Sequence, residues 1–253
     1  MSTDIMVVSW KNDLGYLKYC LKSINKFATG FNRVVLVVAE EEERLFRPFQ
    51  SDVVLKTYPR VRDPILFHLH HQAIKCQADK FCEADFILHT DSDCVFTEPV
   101  TPDDYMADGK PIMLIEEYSR LNGNPWQKVT ENVLGFQPKW ECMRRHPQVN
   151  PRGVYQQLRA HIVLTHGMPF EIFVLSQKPD FVWGFSEHNA IGAIALHDDY
   201  WKNQYHWIDL ARQSRPRDKL AQFWSHSPIN KAQDLPSGGR STPLELYSKI
   251  GLC

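Results

Sequence analysis

Asp85-Phe86-Ile87-Leu88-His89-Thr90-Asp91-Ser92-Asp93-Cys94-Val95-Phe96 is the stretch whose reading decides the fold. An apolar run ends in two carboxylates one residue apart, and a second apolar run follows at once. In open α/β sheets ligands bind beyond the carboxyl ends of the strands. Magnesium and manganese prefer carboxylate oxygens and often share their coordination sphere with substrate phosphates. A turn is the competing reading, because Asp readily accepts backbone hydrogen bonds there. The residues on either side weigh one reading against the other.

Upstream, Ile5–Val8 reads as a first strand, and Leu14–Phe27 carries Leu14, Leu17, Leu21 and Ile24 at helical spacing. Val34–Val38 is a β-branched run suited to a buried parallel strand. A short acidic helix starts at Glu40, a third strand is expected at Val53–Leu55, and a helix over Leu66–Cys82 follows Pro64. The alternation is β-α-β-α-β-α-β, so the predicted fold class is α/β, with a mostly parallel central sheet and helices on both faces. Downstream, Pro111–Ile115 reads as one more strand, and Phe170–Leu175 and Glu187–His197 read as helices. The tail from Pro228 through Ser237-Gly238-Gly239 reads as loop. With no internal repeat and no linker, residues 1–253 are expected to form a single domain. Residues 1–119 would be its nucleotide-sugar-binding half and residues 120–253 its acceptor-facing half.

At 253 residues, 43% hydrophobic and 23% charged, the composition is that of a globular chain with a full core. No apolar run reaches the roughly 18–20 residues of a membrane span, and the N-terminus lacks the basic and apolar regions of a signal peptide. Six cysteines occur without a Cys-x-x-Cys pair, as expected of buried thiols in a reducing compartment, and the expected location is cytoplasmic. Absence of an Asn-x-Ser/Thr sequon agrees with that. Net charge is −1, unevenly spread: residues 1–119 carry 13 Lys or Arg against 19 Asp or Glu, and residues 120–253 carry 16 against 11. The basic excess lies in Arg120–Arg159, interleaved with Trp126, Trp140 and Tyr155. Such a stretch can meet a polyanion or form an ordinary solvated face.

Several segments together resemble the GT-A type of nucleotide-sugar-dependent glycosyltransferase. They are the opening strand with its Trp10-x-x-Asp13 turn, the helix carrying Gln72-Ala73-Ile74-Lys75, and the strand entering Asp91-Ser92-Asp93. Phe185-Ser186-Glu187 opening a helix with Gly192, and the late Trp224-Ser225-His226-Ser227-Pro228, complete the order. The resemblance implies one Rossmann-like domain, a Mn2+ or Mg2+ cofactor and a nucleotide diphosphate sugar, commonly of uridine, as donor. It implies that Asp93 ligates the metal, that Asp91 contacts metal or ribose, and that His226 closes the metal shell. Ser92 stands between the two carboxylates in the donor site, and Ser9, Trp10 and Asp13 seat the nucleotide, with Trp10 able to stack on the base.

Gln72 and Lys75 lie three apart on a helix and so share a face. Facing the cleft, Lys75 would pair with a phosphate and Gln72 would reach ribose or base. Glu187 is the candidate catalytic base, since a carboxylate must take the acceptor hydroxyl proton in an inverting transfer. Ser186 would cap its helix, an acidic residue there would also simply favour the helix dipole, and Asp180 stands in reserve. His68 and His71 share a helical face that His70 does not, and no carboxylate at ligand spacing makes them a second metal site.

Two acceptor classes stay open: a hydroxyl on a glycan, lipid-linked sugar or metabolite, and a hydroxymethylated pyrimidine in DNA, which viral relatives glycosylate. The basic Arg120–Arg159 stretch and Trp201–Trp207 suit the second, where a flipped base needs aromatic walls and nearby cations. Donor sugar and stereochemistry are open as well. Other classes are a nucleotidyltransferase, which uses two metals on phosphoryl chemistry, and a non-catalytic nucleotide-sugar or polyanion-binding module.

Overall fold

The computed structural model describes residues 1–63, 66–123, 125–144, 147–177, 184–223 and 243–252. Strands β1 (Thr3–Val8), β2 (Val34–Ala39), β3 (Val54–Tyr58) and β4 (Phe86–Asp91) pair in parallel in the order β3-β2-β1-β4. The near-continuous burial of β1, β2 and β4 suits strands covered on both faces, whereas β3 at the edge is mostly half-buried with Lys56 exposed. Helix α1 (Leu14–Phe27) follows β1, α2 (Glu43–Phe46) follows β2, and α3 (Phe67–Lys75) precedes β4. The expected helix over Leu66–Cys82 is therefore shorter. After Lys75 the chain turns into a single 3-10 turn, Ala78–Lys80, where Asp79 forms an ion pair with Arg159.

β5 (Cys94–Phe96) leaves the two carboxylates, and β6 (Met106–Ala107) and β7 (Lys110–Glu117) follow. α4 (Pro125–Leu134), β8 (Trp140–Glu141) and β9 (Gln148–Pro151) come next, and β9 closes the main sheet antiparallel to β4. Pro151 there suits an edge strand, which has one row of unpaired donors. The rest is α5 (Val154–His166), α6 (Phe170–Ser176), α7 (Glu187–His197), α8 (Asp199–Lys202), β10 (His206–Asp209), β11 (Leu220–Gln222) and α9 (Pro243–Lys249). β10 lies parallel to β7, and β11 returns antiparallel to β5.

The fold is mixed α/β with a mostly parallel central sheet and helices on both faces. Alternate residues of β1, β2 and β4 face opposite layers, as the period of two demands. Ile5, Val7, Leu36, Val38 and Leu88 pack on Leu17, Leu21 and Ile24 of α1. Met6, Val8, Val35, Val37 and Ile87 pack on α3, α5 and α7. That second layer runs from Met6 to Tyr205 without a break at residue 119, so both expected halves share one core.

α7 is apolar nearly all round because it is buried nearly all round, from Glu187 to Ala195. Gly192 is required there: a Cβ on it would stand 2.4 Å from the Cβ of Cys142. α9 closes the chain onto α1, with Tyr247 stacked on Tyr19 at 4.0 Å and Lys22 and Lys26 donating to the carbonyls of Leu252 and Ile250. Among the described residues no helix is long and apolar enough to cross a membrane.

Candidate active site

Asp91 is the last residue of β4, on the face that looks toward α3 and α7. Lys75, at the end of α3, donates to Asp91 Oδ1 at 2.7 Å and to Glu187 Oε1 at 3.0 Å. Gln72, one turn earlier, donates through Nε2 to Glu187 Oε2 at 2.9 Å and to the Phe185 carbonyl at 2.9 Å. Four of the residues singled out in the sequence thus meet in one network, joining the end of β4 to the start of α7. Ser186 occupies the N-cap position of α7 but does not cap its backbone. Its hydroxyl instead accepts from the Asn189 side chain at 3.0 Å.

The network is strongly electrostatic. Burial alone would push the Glu187 carboxyl up, but Lys75 beside it overrides this and holds it well below the usual carboxylate range. Burial likewise opposes the charge on Lys75, and Asp91 and Glu187 reverse the effect and raise its pKa. One ammonium therefore faces two carboxylates, with Asp93 a third acid just beyond, and the balance favours a further cation. Among the described residues no three His, Cys, Asp or Glu stand together as a complete metal site. The available donors are hard carboxylate oxygens, which fit a divalent ion that keeps part of its shell for phosphate. Asp93, 6% exposed, is fixed through its backbone: its carbonyl accepts from Phe223 N at 3.0 Å.

On the opposite face of the sheet, Ser92 Oγ donates to Asp13 Oδ2 at 2.8 Å, both residues being buried. The Asp-x-Asp turn is thereby anchored to the start of α1. Ser9, directly after β1, is fully buried, and its Oγ has no hydrogen-bond partner. Trp10, which follows it, is half-buried at the edge of this ledge. Next to it Lys11 N donates to Glu42 Oε2 at 2.9 Å, and Arg60 donates to Glu42 Oε1 while its guanidinium lies 3.6 Å from the centre of the Phe67 ring.

Other expectations fall elsewhere. His226, Trp224 and Asp180 lie outside the described residues. His70 turns away from the network to Glu171, 3.1 Å from its Nε2. In the basic stretch Arg120, Lys128, Lys139, Arg144 and Arg159 each form an ion pair with a carboxylate. That is the pattern of a solvated face with its own counter-charges.

The sequence reading overlooked Gln222, whose Nε2 lies 3.5 Å from Asp91 Oδ2. It lies 131 positions from Asp91, brought there by the β5–β11 pairing, and no local signal marks it. Nor did it single out Glu42 and Arg60, which brace the ledge beside Trp10.

The chain belongs to a family of unknown function, DUF6492, whose model matches residues 5–222. Among curated proteins none matches. Among solved structures it is similar to TarS of S. aureus, at 15% identity and a TM-score of 0.38, over 64% of this chain and 30% of that one. It is also similar to the apo-form glycosyltransferase GlyE of Streptococcus pneumoniae TIGR4, at 11% identity and a TM-score of 0.48, over 100% of this chain and 61% of that one. The chain thus spans less than two thirds of the length of either structure.

Proposed function

We propose that the chain is a metal-dependent glycosyltransferase that moves a sugar from a nucleoside diphosphate donor to an acceptor hydroxyl. The observation that carries this reading is the convergence of Asp91, Lys75, Gln72 and Glu187 beside Asp93 at the carboxyl end of β4. Asp91 and Asp93 would hold Mn2+ or Mg2+, and His226 would complete the shell. When bound, such an ion supplies charge neutralisation to the departing diphosphate. Lys75 would add its ammonium to the same diphosphate, leaving Gln72 to hold Glu187. With Lys75 turned toward the donor, Glu187 Oε1 is released to accept the proton of the acceptor hydroxyl. Trp10 and the Ser9–Asp13 turn would seat the nucleotide base. The self-paired cations of the basic stretch favour a glycan or small-metabolite hydroxyl over DNA as acceptor.

The test is release of nucleoside diphosphate with manganese across a panel of nucleotide sugars, with and without hydroxymethylated DNA. Asp93→Asn should abolish release while the protein stays folded. Pyrophosphate release from nucleoside triphosphates would instead indicate a nucleotidyltransferase. Binding of nucleotide sugars without turnover would leave a binding module.

A further inference from the structure

We infer that His71 is the residue that grips the sugar of the donor, through a hydrogen bond between its Nε2 and a sugar hydroxyl. This rests on the glycosyltransferase reading above. His71 lies four residues before Lys75 on α3, so the two share a face and stand about 6 Å apart along the helix axis. His68, three residues earlier again, continues the same stripe. The stripe is graded: Lys75 is buried, His71 is half-buried and His68 is exposed. It therefore leads from the ion-paired floor of the site toward solvent.

The polar atoms nearest the floor are already committed, since Lys75 donates to Asp91 and Glu187 and the Gln72 amide nitrogen donates to Glu187. His71 Nε2 is shut off from water and has no hydrogen-bond partner. Gln72 Oε1, on the adjacent residue, is in the same condition. Buried polar atoms left unpaired cost free energy until a partner arrives.

The kind of partner follows from the charge of the ring. Burial, reinforced by the nearby ammonium of Lys75, pushes the imidazole down to about 3. Asp91 and Glu187 pull the other way without reversing it. At physiological pH His71 is therefore neutral and offers no charge to a phosphate. A hydroxyl both donates and accepts, so it satisfies Nε2 in either tautomer, whereas a phosphate oxygen satisfies only the protonated nitrogen. With the diphosphate beside Lys75, the group one helical turn outward is the sugar.

The test is a calorimetric titration, with manganese, of UDP alone and of a panel of UDP-sugars into wild type, His71→Ala and His71→Asn. Thermal melting of each variant checks that it folds. The expected result is a loss of about tenfold in affinity for the bound UDP-sugar in His71→Ala, with UDP affinity held within about twofold. His71→Asn, which keeps a neutral hydrogen-bonding group, should recover part of the loss. Equal weakening of UDP and UDP-sugar, or no weakening of either, would overturn the assignment while leaving the donor site intact. Failure of wild type to bind these or any other nucleoside diphosphate sugar would overturn the glycosyltransferase reading, and this inference with it; binding of a sugar nucleotide with another base would move the same comparison to that nucleotide.

Discussion

Lys75 bridges Asp91 and Glu187, donating to the first at 2.7 Å and to the second at 3.0 Å. Through this one ammonium α3, the end of β4 and the start of α7 are held together. The contact has two consequences, one for stability and one for turnover.

Removing one member of a buried ion network strands the others, which typically costs about 3–5 kcal/mol. Lys75→Met should destabilise the protein by roughly that amount in urea unfolding. Glu187→Gln added to it should recover part of the loss, because one of the two stranded carboxylates is then neutral. Strict additivity of the two single changes would show that Lys75 and Glu187 are not coupled.

Turnover should respond differently at Glu187 and at the metal pair. Glu187→Gln should depress sugar transfer while donor affinity stays near that of wild type. A matching loss of donor affinity would move Glu187 from the acceptor side to donor positioning.

The hydroxyl of Ser92 ties the Asp-x-Asp turn to Asp13, donating to its Oδ2 at 2.8 Å. Ser92→Ala leaves a buried carboxylate short of a donor and should cost about 1.5–3 kcal/mol, the range for hydrogen bonds to charged groups. Manganese affinity, followed by competition with a fluorescent chelator, should fall as well, because the turn carrying Asp91 and Asp93 loses its tie to the start of α1 and keeps only contacts further along, such as Cys20 Sγ to the Asp91 carbonyl.

Acid should weaken the fold through His71. Its folded-state pKa lies at about 3, below the ordinary value near 6.5. Between those two values the unfolded chain binds the extra proton. The stabilising contribution is full above about pH 6.5 and shrinks as pH falls, by roughly 1.4 kcal/mol per unit for one such group. His70, also lowered by burial, acts in the same direction. Urea midpoints measured at pH 7.5, 6 and 5 should decline together, and His71→Asn should flatten the decline.

Much of the fold was legible because its signals are local. The β-branched run at Val34–Val38 and the period-3.6 face of Leu17, Leu21 and Ile24 need no distant partner to be read. α7 was located correctly from Glu187 to His197. β9 was not foreseen, because its four residues include Gln148, Asn150 and Pro151, a polar composition buried only through pairing with β4. α5 was missed although Val154, Tyr155, Leu158 and Ile162 form a buried face, because Val163 and Leu164 on the outer side blur its period. In the site, Gln72 and Lys75 could be assigned to one face from their spacing alone. Their actual partner, Glu187, lies more than 110 positions away. Spacing along one helix cannot show which distant acid it meets.

The docking of α9 onto α1 bears on how the protein is made. The carbonyl that Lys22 holds lies 230 positions further along the chain, and the Tyr19–Tyr247 stack spans a similar interval. All four parallel strands leave the ribosome long before the residues that cover Tyr16 and Tyr19 are synthesised. A nascent chain can therefore complete its sheet while one aromatic flank of its first helix is bare, a surface open to chaperones and to other nascent chains. Only when α9 and the turn after it fold back is that flank sealed, so the first helix is finished by one of the latest-made segments.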